Sequence, residues 1–346
     1  MSVRAAVAAF FLVSGVMVSG AQAQITASEW SDYSNRFVSD EGRVIDDGNG
    51  GISHSEGQGY GLLLAFLASN KPDFARIWSF TQRELMIRDD HLAAWKWDPN
   101  GTPKITDVNN ASDGDILIAY ALALAGKDWD EPRFTQSARS IADALGTSAL
   151  FSHKGETLLL PGVHGFGADD QPDWPVVNPS YWIFEAVPVL AGLAPDNQWT
   201  RLSESGAALI SKAAFGKNHL PADWVSVAGT TPRPAEGFPV EFGYNSVRIP
   251  LYLMRSMDSD MNLLRRLRDG MTGPQGAVTL IDLTTDQVMV ELEDPGYRII
   301  SALATCVLDG TRIPQDLRVF VPTLYYPATL QLLALAHIRK DRPECL

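Results

Sequence analysis

Two short stretches of this 346-residue chain place an acidic residue among glycines and serines just ahead of a long apolar run. In GISHSEGQGY (51–60), Glu56 precedes GLLLAFLAS; in NNASDGD (109–115), Asp113 precedes ILIAYALALAG. A pair of carboxyls can divide acid and base work, one protonating a leaving oxygen while the other serves as base or nucleophile on the opposite side. The plain alternative is that each is a first-turn helix acid, favoured by the positive end of the macrodipole by a few tenths of a kcal/mol. Ser55-Glu56-Gly57-Gln58 has the form of a capping box, and Ser112-Asp113-Gly114-Asp115 repeats it. This form makes Ser55 and Ser112 the N-caps and puts both acids at the first helical position.

Two features favour chemistry. Gly51, Gly57 and Gly59 add a backbone cost of up to about 1 kcal/mol each in helical positions, which a cap does not call for and close approach of a ligand would. The intervening HLAAWKWDPNGTPKITDVNNASDGD sets Trp95 and Trp97 beside Asp98, Asn100, Asn109 and Asn110. Flat aromatic faces interleaved with amides and carboxylates suit sugars, although either Trp reads equally well as core. A helix N-terminus lowers a carboxyl pKa, so an acid at Glu56 needs burial or a neighbouring negative charge to stay protonated. Asp113 is the obvious neighbour, and the two side chains must therefore meet in space.

The elements that would position them are helical. Apolar residues recur at helical spacing over 59–69, 114–126, 180–194, 201–215, 246–257, 297–308 and 328–341, and alternation is confined to pieces such as GAVTLIDLTT (276–285). Several of these helices are apolar around most of their circumference and need neighbours on more than one side. The segments 86–112 and 158–179 are long, rich in Gly, Pro, Asp and Trp, and of a length that goes with function. No low-complexity linker divides the chain, so 24–346 reads as a single domain.

Composition narrows the function. Residues 1–23 have Arg4, an apolar run and Ala21-Gln22-Ala23 as a small-x-small cleavage site, the pattern of a signal peptide on an exported, unanchored protein. With a net charge of −13 and scattered Lys and Arg, the chain offers no basic patch for nucleic acid. The six histidines make no metal-binding spacing, so neither metal nor cofactor is expected. His54 reads as a loop hydrogen-bonding residue. No G-x-S-x-G surrounds Ser53 or Ser55, and GVHGFG (162–167) lacks dinucleotide-binding spacing. Cys306, inside an apolar run, reads as a small buried residue, with a pairing to Cys345 left open.

SEGQGYG and NNASDGDILIAYALALAG together resemble glycoside hydrolase family 8, and the chain from EGRVIDDGNGG to FGYNSVRIPLYL looks most like the exported endoglucanases that accompany bacterial cellulose synthesis. The resemblance implies an all-α (α/α)6 barrel whose long loops form a substrate cleft, and endo-β-1,4-glucanase activity by inversion. It makes Glu56 the proton donor and Asp113 the signature aspartate, described as nucleophile or as a group that positions sugar and water. It places Trp95, Trp97 and Tyr181 in the cleft wall. The implied partners are a β-1,4-glucan and the cellulose-synthesis machinery, with the enzyme a monomer in the periplasm or secreted.

One position departs from the family. Asn245, in FGYNSVRIP, stands where many members carry an aspartate as general base, and an amide cannot take a proton from water at neutral pH. Asp113 is the favoured substitute base, Glu241 another, and a slow enzyme the third reading. Arg248 reads evenly as a partner of an active-site carboxylate and as a helix-start arginine. The rivals to an endoglucanase are a catalytically weak β-glucan-binding protein and a related endo-hydrolase such as a chitosanase.

Overall fold

The computed structural model describes residues 23–256 and 260–346. The expected signal peptide, apart from Ala23, lies outside the described residues. The helices are α1 (Ala27–Phe37), α2 (Ser55–Leu67), α3 (Lys71–Phe80), α4 (Ser112–Asp128), α5 (Pro132–Ser148), α6 (Val187–Leu193), α7 (Trp199–Lys212), α8 (Ile249–Arg255), α9 (Met261–Met271), α10 (Pro295–Asp309) and α11 (Tyr325–Asp341). Apart from Glu56 and Phe66, every residue of α2 from Ser55 to Leu67 is buried; α4 from Ser112 to Ala123 and α11 from Pro327 to Ile338 are buried throughout. Residues this apolar on every side cannot face water, so these helices line the inside. By contrast α1, α3, α5, α7 and α9 bury one stripe and turn a charged face outward. Outer and inner helices alternate along the chain from α1 to α5 and again from α7 to α9. Two concentric rings result, the (α/α)6 barrel that the family resemblance implied.

The amphipathic helices α1, α3, α5 and α9 are absent from the expected set, because a single apolar stripe in a polar sequence is a weaker signal than a continuous apolar run. Two expected helices are broken. Over 180–194 the chain forms a 3-10 turn, Pro179–Tyr181, and then α6; over 246–257 it forms the turn Ser246–Arg248 and then α8. Pro188 and Pro250 sit in the first turns of α6 and α8, where a missing N–H costs nothing, and neither could lie inside a longer helix.

Short strands trim the loops. They are β1 (Ser53–His54), β2 (Lys96–Trp97), β3 (Leu150–His153), β4 (Glu156–Leu159), β5 (Val176–Val177), β6 (Val225–Ser226), β7 (Arg233–Pro234), β8 (Glu241–Phe242), β9 (Val278–Asp282) and β10 (Gln287–Leu292). They pair antiparallel as β1-β2, β3-β4, β5-β6-β7 and β8-β9-β10. The alternation expected over 276–285 is the central strand β9. Cys306 on α10 is not a lone apolar residue but is bonded to Cys345. The last turn, Pro343–Cys345, folds back so that the Ile313 amide donates to the Cys345 carbonyl at 2.9 Å, which brings the two sulfurs together.

Candidate active site

The N-terminal ends of α2 and α4 lie side by side, and the residues at these ends are set differently from the capping-box expectation. Helix α2 begins at Ser55 itself, so the N-cap is His54, whose Nδ1 accepts from the Gly57 amide at 2.9 Å. The ring proton then sits on Nε2, 3.3 Å from Asp46 Oδ2. The loop-bonding role expected for His54 is thus the cap of the helix that carries Glu56. Gln58 does not reach back. It points into the protein, where Oε1 accepts from Val44 N at 2.6 Å and Nε2 donates to Thr81 Oγ1 at 2.9 Å. Helix α4 starts at Ser112, which donates to the Leu160 carbonyl at 2.6 Å, and Asp113 Oδ1 accepts from Gly114 N at 2.8 Å. A buried serine or glutamine must satisfy its polar atoms wherever donors and acceptors lie, and here these come from other segments.

The two acids meet, and Arg248 joins them. Its Nη1 donates to Glu56 Oε2 at 2.5 Å, and its Nη2 donates to Asp113 Oδ2 at 2.8 Å and to Ser180 Oγ at 3.0 Å. Arg248 and Asp113 are each 1 % exposed, so this is a buried ion network and not a helix-start arginine at the surface. Held on the two arms of one guanidinium, the two carboxyls are close neighbours. Burial alone would raise Glu56, but the charge of Arg248 and then that of His54 outweigh it and hold its carboxyl below the usual range. Burial, and next the Glu56 charge, push Asp113 up to about 8 against the pull of Arg248. Like charges this close cannot both ionise freely, and the proton they retain belongs to the pair. The sequence argument asked the surroundings to keep a proton on Glu56; burial and mutual repulsion instead keep one on the pair.

The glycines around Glu56 serve helix contact more than ligand approach. A Cβ on Gly59 would lie 2.5 Å from Leu117 Cβ, and one on Gly114 would strike Ser55 Oγ and come within 2.7 Å of Glu56 N. The missing side chains let α2 and α4 touch at the level of the two acids. Gly51 differs: its φ of +74° turns the chain ahead of β1.

The 86–112 segment is pinned to α4 by Asp115, whose carboxylate accepts from Ala93 N at 2.8 Å and Asn110 Nδ2 at 2.9 Å. Burial pushes Asp115 up to about 7. Through this anchor, and through Ser55 N–H donating to the Trp95 carbonyl at 2.9 Å, the tryptophan strand runs beside the start of α2. Trp95 is partly exposed and donates to Asp107 Oδ2 at 2.8 Å. Trp97 packs edge-on against Phe80, with Arg43 and Lys104 over its ring, so it braces the β1-β2 ladder more than it offers a face. Tyr181 lies beside Arg248, whose guanidinium carbon is 5.8 Å from its ring centre. Burial and then the Asp113 charge raise its hydroxyl, and Glu56 and Asp223 add to the effect, which places Asp223 near the same groove.

Asn245 opens the turn that ends in Arg248. Its Nδ2 donates to Asp223 Oδ2 at 3.1 Å. Asp223, like the aromatic groups next to it, was not singled out in the sequence. Trp224 is stacked between Phe166 and Phe238, with centroids at 5.6 and 4.5 Å, and Tyr244, Tyr297 and Tyr326 form a second cluster with centroids 6.1 to 6.4 Å apart. These rings come from loops and from the starts of α10 and α11, far apart in sequence, and the local signal was the D-W of PADWV. A cavity of about 1200 Å³ lies elsewhere. Tyr120, Glu185, Arg255 and His337 line it, toward the C-terminal ends of α4, α8 and α11. Glu56 and Asp113 sit at the opposite, N-terminal ends. Among the described residues no cluster of three or more His, Cys, Asp or Glu could hold a metal ion.

The sequence profile described as "Glycosyl hydrolases family 8" matches residues 3–272. This chain belongs to that family. It is a glycoside hydrolase, and the paired carboxyls and their arginine are its candidate machinery. Among its relatives, a probable endoglucanase of Novacetimonas hansenii is 34% identical over 317 residues, covering 89% of each chain. An endoglucanase of Cellulomonas uda is 36% identical over 254 residues, 73% of this chain and 69% of that one. Of solved structures, the family 8 endoglucanase Cel10 of Klebsiella pneumoniae superposes with a TM-score of 0.80 at 33% identity, over 89% of this chain and 97% of that one. The endo-beta-1,4-glucanase CMCax of Acetobacter xylinum gives 0.79 at 30%, over 91% and 98%.

Proposed function

We propose that this enzyme is an exported endo-β-1,4-glucanase that cuts inside cellulose-like chains with inversion at the anomeric carbon. The relatives just named supply the substrate class. The observation that carries the reading is the buried Arg248 that binds Glu56 and Asp113 at once. In this reading Glu56 delivers the proton of the pair to the glycosidic oxygen, with Asp113 beside it. Tyr181, Asn245 and Arg248 contact the sugar or its water, Trp95 stacks a glucosyl ring, and Trp97 keeps the wall in place. Export is supported by the apolar leader-like start and by a disulfide that needs an oxidising compartment. One core running from Ile25 to Cys345 supports a single catalytic domain over 24–346. A link to cellulose-synthesis machinery is what the family resemblance implies.

The test is reducing-end release from carboxymethylcellulose and from chitosan. Wild type should act on the glucan, with a falling mean chain length and an α-configured first product by NMR, and Glu56→Gln should be slower by at least about 1,000-fold. Absence of turnover together with saturable glucan binding would favour the binding-protein reading, which Asn245 in place of an acid supports. Preference for chitosan would favour the chitosanase.

A further inference from the structure

An inverting hydrolase needs a base across the sugar from its acid, and four side chains stand where one could be. Asp113 is too near the acid: it is held on the same guanidinium as Glu56, whereas an acid and base that admit water between them stand about 6.5–9.5 Å apart. Asp223 is 3 % exposed and its lone pairs are taken. Oδ1 accepts from Gly243 N at 2.9 Å and Ser246 N at 3.0 Å, and Oδ2 accepts from the backbone and side-chain nitrogens of Asn245 at 3.2 and 3.1 Å. Four donors around one carboxylate leave no lone pair free to take a proton from water. Asn245 spends its Nδ2 on Asp223, which fixes the amide and leaves Oδ1 to accept a hydrogen bond, but an amide cannot hold the proton.

Glu241 remains. It is on β8, half-buried, and among the described residues no hydrogen bond or ion pair engages its carboxylate. The carboxylate leans over Gly243. A Cβ there would lie 2.9 Å from Glu241 Oε1 and 2.5 Å from Asp223 Oδ2, so the two acids are neighbours only because residue 243 has no side chain. Burial, then the charges of Asp223 and Asp282, raise the Glu241 carboxyl above its usual value and make its anion a stronger base than a free glutamate.

We propose that Glu241 is the catalytic base of this enzyme, taking the proton of a water that Asn245 Oδ1 orients, with Asp223 as the positioning residue that holds the Asn245 amide. The proposal rests on the inverting-glucanase reading. The water oxygen bonds to the anomeric carbon as the glycosidic C–O bond breaks, the leaving oxygen takes the proton from Glu56, and the proton from water passes to Glu241. Exchange with solvent restores both groups.

Glu241→Gln keeps the shape and removes the basicity. Its kcat on carboxymethylcellulose should fall about 100- to 10,000-fold with KM within about threefold of wild type. The acid limb of the wild-type pH–rate profile should vanish in the variant. Azide, which needs no base, should restore turnover of an aryl β-cellotrioside and yield the α-glycosyl azide. A folded Glu241→Gln within about tenfold of wild type, or a slow one that azide leaves unrescued, overturns the proposal. If Glu241→Gln does not fold, Glu241→Ala is put through the same three readouts. Should wild type itself release no reducing ends, it is the glucanase reading that fails.

Discussion

At the scale of single residues, the site is a buried charge problem solved by one arginine. Two carboxyls and one guanidinium carry a single net negative charge into a region almost closed to water, and a proton held between the carboxyls removes it. The native state therefore binds that proton more strongly than the unfolded chain does. The part of stability due to Asp113 is fully present below the unfolded value of 3.8 and is lost as pH rises through about 8, while the lowered Glu56 acts in the opposite sense at acid pH. Activity should follow the same proton. We expect the basic limb of kcat/KM at an apparent pKa of about 8, a property of the pair. Arg248→Met should move that limb upward, cut kcat at least about 100-fold, and cost about 3–5 kcal/mol in chemical denaturation, because two buried acids lose their cation. A limb that stays in place would mean the titrating group lies elsewhere.

At the scale of elements, catalytic geometry depends on how closely two helices approach. The starts of α2 and α4 touch through glycines, so the distance between Glu56 and Asp113 is set by backbone contact, not by flexible side chains. Gly114→Ala puts a methyl into Ser55 and the Glu56 amide. The expected result is a loss of about 1–3 kcal/mol in thermal or urea unfolding, together with a drop in kcat beyond what the lost stability explains. Gly192→Ala is the control, since a Cβ at Gly192 meets nothing within 4 Å. The same logic explains why the expected capping boxes did not form. Each helix began one residue earlier, and the cap came from His54 for α2, while α4 has no side-chain cap.

At the scale of the whole molecule, the barrel must close on itself, and the chain ends do much of this. Helix α11 lies against α2, with Tyr33 of α1 bonded to Thr329 of α11 at 2.9 Å, and Arg339 near its end grips Glu29 through two hydrogen bonds of 2.6 and 2.7 Å. The Cys306–Cys345 bond fastens the residues beyond α11 to α10 across a separation of 39 residues. Loop-closure entropy for a loop of that size is worth about 4 kcal/mol. Cys345→Ser should lower stability by roughly that amount, read as the shift in urea midpoint, with kcat/KM on soluble glucan nearly unchanged because the bond is remote from Glu56. Equal stability of oxidised and reduced wild type would contradict this.

The sequence by itself determined the helical class, the long inner helices, the two acids, and the aromatic segment between them. These are local signals: continuous apolar runs report burial on all sides, and Glu56 and Asp113 stand at the mouths of two such runs. Only the tertiary structure decided what each residue does there. Gln58, Ser55 and Ser112 satisfy their polar atoms, or fail to, according to which loops come near. The proton's place between Glu56 and Asp113 depends on burial and on an arginine 192 residues from Glu56. Asp223 and Glu241 carry no motif, and their relation to Asn245 exists only because Gly243 lets the Asp223 segment meet the 241–245 segment. Burial and electrostatic coupling are sums over neighbours in space, and a chain read in order shows neighbours only along itself.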